Sequence, residues 1–295
     1  MSTAPATELL HPLLTIGKPN TPLLFLDTLF WRRLLEDPAA AGDAQLLRAA
    51  CARGFVQPVI TDLVKAELTR RRLLPRAQDL CGSALLALPM DRIALNQALR
   101  SLVGYLGYKT HVPLRWELMI SEPPVDTRAE GLGSWVADFV AALNADRDDR
   151  PATTKETWTS GITVIERHVW RLALERYRDL LPPPAGADPR TFDRYFSTDY
   201  FLDIPVVTLK VYYLGDILGQ RPLKRQDIID VYSIGELLPY TSLYLMDKDQ
   251  HDRLHKLMQR YPPLFGNLGN LTAVRSHWPH SEDPWQAFRA FLSQP

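Results

Sequence analysis

Four carboxylates stand at places where chemistry can be done with them. Asp27 ends the apolar run of "PLLFLDTLFWRRLLED", Glu67 lies in "PVITDLVKAEL", Asp230 in "DIIDVYSIGELLPY", and Asp247 follows "SLYLM". Asp227 competes with Asp230, because two acids three apart on a helix share a face. Brought together, such groups repel: two like charges about 4 Å apart cost roughly 4 kcal/mol at an effective dielectric of 20. A divalent cation relieves that repulsion. Oxygen ligands with no His or Cys among them favour Mg2+ or Mn2+ over zinc. An ion held this way binds a phosphate oxygen, lowers the pKa of a water and stabilises a leaving oxygen. The chemistry implied is hydrolysis of a phosphodiester.

For these acids to meet, the elements carrying them must end at one rim. Leu23 to Leu26 reads as an apolar strand that stops on Asp27 and passes at once into a helical pattern. A second unit follows the same pattern, with a helix stopped by Gly54, a strand at about Val56 to Ile60, and a helix capped by Thr61 or Asp62 that carries Glu67 about two turns in. Alternating strands and helices predict an α/β fold with a twisted, mostly parallel sheet flanked by helices. Ligands gather outside the carboxyl ends of such strands. Asp27 and Asp247 both fall there, and Asp230 is expected in the first turn of the helix before the last strand, a helix that Pro239 closes.

From about residue 80 to 200 the strand signals nearly vanish, and apolar residues recur at helical spacing in "RIALNQALRSLVGYL", "LGSWVADFVAALNAD" and "TWTSGITVIERHVWRLALERYRDLL". The expected organisation is a single domain over residues 1–295, with an α/β core at about 20–80 and 200–265, a large all-helical insertion at about 80–200, and a tail at 266–295. Trp285, Phe288 and Phe291 are expected to pack a short helix of that tail on the core. Trp116, Trp135, Trp158 and Trp170 are read as core of the insertion.

Composition limits the partners. Lys plus Arg and Asp plus Glu both number 34, so no global field draws in a polyanion and nucleic-acid binding must rest on local patches. The candidate patches are Arg32 with Arg33, the run Arg70 to Arg72 with Arg76, and Lys224 with Arg225, each within about nine residues of one of the acids. No apolar run approaches the roughly 18 residues of a membrane span, and the N-terminus lacks the basic-then-apolar pattern of an export signal. With only Cys51 and Cys81 and no CxxC or Cys/His spacing, neither a disulfide framework nor a zinc site is indicated. A cytoplasmic protein without a membrane partner is expected.

Taken in order, the acidic segments resemble those of a known family. "LLFLDTLFWRRLL", "PVITDLVKAEL" and "DIIDVYSIGELLPYTSLYLMDKD" are similar to the successive acidic motifs of PIN-like nucleases, in a bacterial branch with long insertions. The resemblance covers about residues 20 to 75 and 200 to 265. It implies that Asp27, Glu67, Asp230 and Asp247 hold Mg2+ or Mn2+ and act in catalysis, with Asp227 competing for the third place. It also implies that Thr28, Arg32, Arg70, Arg71 and Lys248 face an RNA substrate, single-stranded or structured. The chain departs from the pattern at Leu29, Leu245 and Met246.

Three readings follow: a metal-dependent ribonuclease, a catalytically inactive PIN-like scaffold with a protein partner on the insertion, and a haloacid-dehalogenase-like phosphatase. The last needs an acid two residues after its first Asp, where this chain has Leu29. Each acid also has a bland role, since Asp27 can be a simple helix cap and Asp227 and Asp230 gain from a helix dipole. His251 and His255, at i and i+4, read as a solvated helix face.

Overall fold

Leu23–Leu26 is apolar at every position because every position is buried, as a strand covered on both faces requires. It forms β1, an inner strand of a four-stranded sheet of order β3-β2-β1-β4 in which every pairing is parallel. This is a computed structural model, and it describes residues 21–88, 93–94, 97–98, 101–102, 105, 127–150, 153–175, 189–198, 201–202, 204–238, 240–261 and 284–293. Those residues divide into two compact units, one within Gly17–Pro89 and Leu237–Pro295, the other within Met90–Glu236.

The first unit is α/β, with its parallel sheet flanked by helices. After β1 come α1 (Thr28–Glu36), a 3-10 turn at Pro38–Ala40, α2 (Ala41–Ala52), β2 (Gln57–Thr61), α3 (Asp62–Arg70), α4 (Leu74–Cys81) and β3 (Leu86–Leu88). Pro58 is tolerated inside the sheet for a local reason. The Gln57 N–H points to the β1 side, donating to the Pro22 carbonyl at 3.0 Å, so the nitrogen of Pro58 points to the β3 side, where pairing begins only at Val59. Thr61 caps α3 by accepting from the Val64 N–H at 3.2 Å. The unit finishes with β4 (Leu243–Leu245), α11 (Lys248–Arg260) and α12 (Pro284–Leu292). Trp285, Phe288 and Phe291 of α12 are buried; Trp285 packs 5.4 Å from Phe30, and Arg289 binds Asp43 at 2.6 and 2.9 Å.

The described part of the second unit is helical: α5 (Thr127–Asp149), α6 (Lys155–Glu175), α7 (Pro189–Ser197), α8 (Pro205–Leu209), a π-helical segment Lys210–Leu214, α9 (Gly215–Leu218) and α10 (Arg225–Leu237). It reaches further along the chain than the expected insertion. Residues 204–236, which the expected bounds place with the α/β core, fall in this unit, where Pro205 opens a helical run in which Val206, Val207, Leu209, Val211, Leu214 and Ile217 are all buried. Such a run reads equally as buried strand or buried helix until its length decides. The short strand β3 is the opposite correction, a strand inside the stretch expected to be helical. Trp158 and Trp170 are buried as expected, while Trp116, the Trp135 side chain and Pro239 lie outside the described residues.

Two side chains organise this unit. Gln97 donates to the carbonyls of Gly235 (2.9 Å) and Glu236 (3.1 Å) and accepts from the Val206 N–H (2.9 Å), so one buried amide satisfies the open ends of α8 and α10. The two helices approach closely enough there that a Cβ on Gly235 would stand 2.8 Å from the Val206 Cα. Gly235→Ala is therefore expected to destabilise the protein by about 1–3 kcal/mol, the range of an overpacked core, as measured by urea unfolding. Lys210, in the π-helical segment, is buried with its Nζ 3.1 Å from Glu166 Oε2 and 4.0 Å from the Tyr232 ring centroid. Trp170 Nε1 donates to the same carboxylate oxygen at 3.1 Å. Among the described residues no helix is long and apolar enough to cross a membrane.

Candidate functional site

The two outermost acids of the sequence pattern arrive at neighbouring strand ends. The Asp27 N–H still belongs to the sheet, donating to the Leu245 carbonyl of β4 at 3.0 Å, and Asp247 follows two residues after that carbonyl. Both then leave the sheet in the same way. Each has extended backbone and caps the next helix: Asp27 Oδ1 accepts from the Thr28 N–H at 2.7 Å, and Asp247 Oδ1 accepts from the Gln250 N–H at 2.9 Å. One oxygen of each carboxylate is thereby fixed. Glu67, the sixth residue of α3, comes from the handover after β2, on the other side of β1.

The charges of Asp247 and Glu67 both bear on Asp27. Burial is the main reason that the Asp27 carboxyl is pushed up to about 6 from its ordinary value of 3.8; the Thr28 N–H works against the rise, and the charges of Asp247 and Glu67 add to it. The helix cap therefore has a second property, a carboxyl that resists ionisation because it is buried and has two more acids near it. Among the described residues, no three His, Cys, Asp or Glu side chains are close enough to share one ion as they stand. The donor set, all carboxylate oxygen, suits Mg2+ or Mn2+ chemically.

Asp227 and Asp230 belong to the helical unit. Asp227, in the first turn of α10, is buried, and its carboxylate is engaged by Arg221 Nη1 (2.8 Å) and Nη2 (2.7 Å) and by the Lys224 N–H (2.6 Å). Bidentate pairing of this kind is a strong, oriented interaction. Asp230 lies one turn further into α10 than the first turn expected for it, half-buried, and accepts from Gln226 Nε2 at 2.7 Å. The two competitors thus differ in chemistry: one is anchored by a guanidinium, the other accepts from a neutral amide on its own helix.

The side chains expected to face substrate have mixed surroundings. Thr28 is buried at the start of α1. Arg32 pairs with Glu36 at 3.3 Å, whereas Arg70 and Arg71 at the end of α3 and Lys248 at the start of α11 are exposed. Beside Asp27, Leu29 is 54% exposed. His251 and His255, expected on a solvated face, are both half-buried, with the His251 side chain only 13% exposed; their rings lie 6.4 Å apart, with Asp252 3.4 Å from His251 and Gln259 2.7 Å from His255. Compared with family models, with curated proteins and with solved structures, the chain has no match.

Proposed function

We propose that the chain is a PIN-like ribonuclease that hydrolyses RNA phosphodiester bonds at the rim formed by Asp27, Glu67 and Asp247, with Mg2+ or Mn2+ as cofactor. The observation that carries this reading is the arrival of Asp27 and Asp247 at neighbouring strand ends, each held by one oxygen as a helix cap, with the charge of Glu67 from a third handover also bearing on Asp27. A purely structural cap gains nothing from such neighbours, while a cation site needs them. When bound, the ion would supply Lewis acidity towards a phosphate oxygen and ease the ionisation of water. The protein's part is to aim the ligands. The Thr28 and Gln250 N–H groups each hold the Oδ1 oxygen of Asp27 and Asp247, which leaves Oδ2 of each carboxylate for a cation. Exposed Arg70, Arg71 and Lys248 supply positive charge for a phosphate backbone.

The test is cleavage of a labelled single-stranded RNA with added Mn2+ and with chelator. Metal-stimulated, chelator-sensitive cleavage is expected; absence of cleavage under both conditions removes the reading. Two variants then separate the acids of α10. Asp227→Asn, which breaks the bidentate pair with Arg221, is expected to lower stability by about 1–3 kcal/mol. Asp230→Asn keeps an oxygen to accept from Gln226 Nε2 and is expected to cost less.

A second reading, a binding scaffold without catalysis, is favoured by a different observation. Val164, Ile165, Val169 and Leu172 lie exposed along one stretch of α6. An apolar stripe of this kind suits a protein partner.

A further inference from the structure

The end of α1, one face of α2 and one face of α4 leave a depression of about 340 Å³ between them, within a single compact unit. The α2 wall is Ala41, Ala44, Gln45 and Arg48, which recur at three and four residues because they share one side of the helix. α4 supplies Arg76 and Leu80, again four apart, and α1 supplies Leu34 and Leu35. The three leucines are buried and make an apolar floor, whereas both arginines are exposed. The charges around this floor do not balance. Glu36 and Asp37 also line the depression, but Glu36 is paired with Arg32 at 3.3 Å, and Asp37 accepts from the Ala39 N–H at 2.9 Å and lies 3.8 Å from Arg33. Among the described residues no carboxylate pairs with Arg48 or Arg76. Two guanidiniums therefore border an apolar floor without a counter-charge from the protein.

We propose that this depression is a binding site for a phosphate monoester with an apolar body of about one aromatic ring. Two guanidiniums match the two negative charges of the phosphate, and each offers a planar fork of N–H donors to its oxygens. The apolar body lies on Leu34, Leu35 and Leu80 and takes their remaining surface out of water. Neither half of the ligand accounts for the lining alone: a bare anion leaves the leucines wet, and a neutral apolar molecule leaves the arginines unused. The site stands independently of the nuclease reading, because none of the acids at the rim lines it.

The experiment titrates phenyl phosphate into the full chain by calorimetry at about pH 8, where the phosphate is dianionic, with chelator present so that no metal at the rim contributes. Binding with a Kd of about 1 mM or lower is expected. Inorganic phosphate, which lacks the ring, and benzamide, which lacks the charge, are each expected to bind about tenfold more weakly or worse. Arg48→Gln and Arg76→Gln should each weaken phenyl phosphate about tenfold. Ala41→Trp, which keeps both arginines and fills the depression from α2, should abolish binding. All three positions are exposed, so the fold is expected to survive these changes. The proposal is overturned if phenyl phosphate does not bind at about 10 mM, or if the Ala41→Trp variant binds it like the wild type. It is equally overturned if inorganic phosphate binds as tightly, which would mean an adventitious ion only, or if benzoate does, which would remove the preference for a dianion.

Discussion

Asp27→Asn is expected to lower RNA cleavage about a hundredfold or more and, without metal, to make the protein more stable above pH 6. The two effects have one origin. Asparagine keeps a side-chain oxygen to accept the Thr28 N–H, so the cap of α1 survives. What it loses is a charge that the folded site resists. The Asp27 carboxyl titrates at about 6 in the folded protein against an ordinary 3.8. Below that ordinary value both the folded and the unfolded chains carry the proton, and Asp27 has no effect on the balance. As pH rises from there to about 6, the unfolded chain ionises first, so the folded state binds the extra proton and loses stability with rising pH. A displacement of this size is worth about 3 kcal/mol at most, and solvent at the rim leaves about 1–2 kcal/mol of it. The stability difference between Asp27→Asn and wild type should therefore open between pH 4 and 6 and stay level above, in urea unfolding with chelator present. A difference independent of pH would reduce Asp27 to a cap.

Lys210→Met is expected to be the most damaging single change, with a loss of about 3–5 kcal/mol in the same assay. Burial by itself would lower the lysine's pKa, but the Glu166 carboxylate and the Tyr232 hydroxyl outweigh it, and the ammonium is held firmly charged. Tyr232, desolvated in turn and close to two carboxylates as well as to Lys210, is pushed up to about 12 and stays neutral. Methionine has the length of the lysine stem but leaves the buried Glu166 carboxylate with the Trp170 N–H and no counter-charge from Lys210. The companion double variant, Lys210→Met with Glu166→Leu, should recover most of the loss, because an apolar pair replaces the ions without leaving either one alone. If the double variant is as unstable as the single, the site depends on the charges in some way beyond their pairing.

Much of the sheet was legible because local pattern and tertiary role agree there. "LLFLD" can hardly be anything but a strand buried on both faces that stops at a polar rim, and Asp27 and Asp247 are helix caps by residue type alone. Three things were not legible, for different reasons. β3 is three residues long, too short for periodicity to separate it from the helices around it. The run from Val206 to Leu218 is buried nearly throughout, so it has no polar face from which a period can be read, and only Pro205 hints at a helix start. Asp227 and Asp230 are the same residue type three positions apart. What distinguishes them is Arg221, whose guanidinium folds back onto the first.

The place of β1 in the sheet also sets an order of assembly. Leu24 pairs with Pro58, which follows soon after it, and with Leu243, which leaves the ribosome only after the helical unit has been made. The β1–β2 side can form early, but the other side must wait while the whole helical unit is synthesised, with the hydrogen-bonding edge of β1 left open in the meantime. Contacts of such long range are slow to close and leave an apolar edge exposed to other chains. Asp27 and Asp247 therefore come together only after the helical unit has been made, and a chain truncated before β4 has an unfinished sheet in which Asp27 stands at the rim without Asp247.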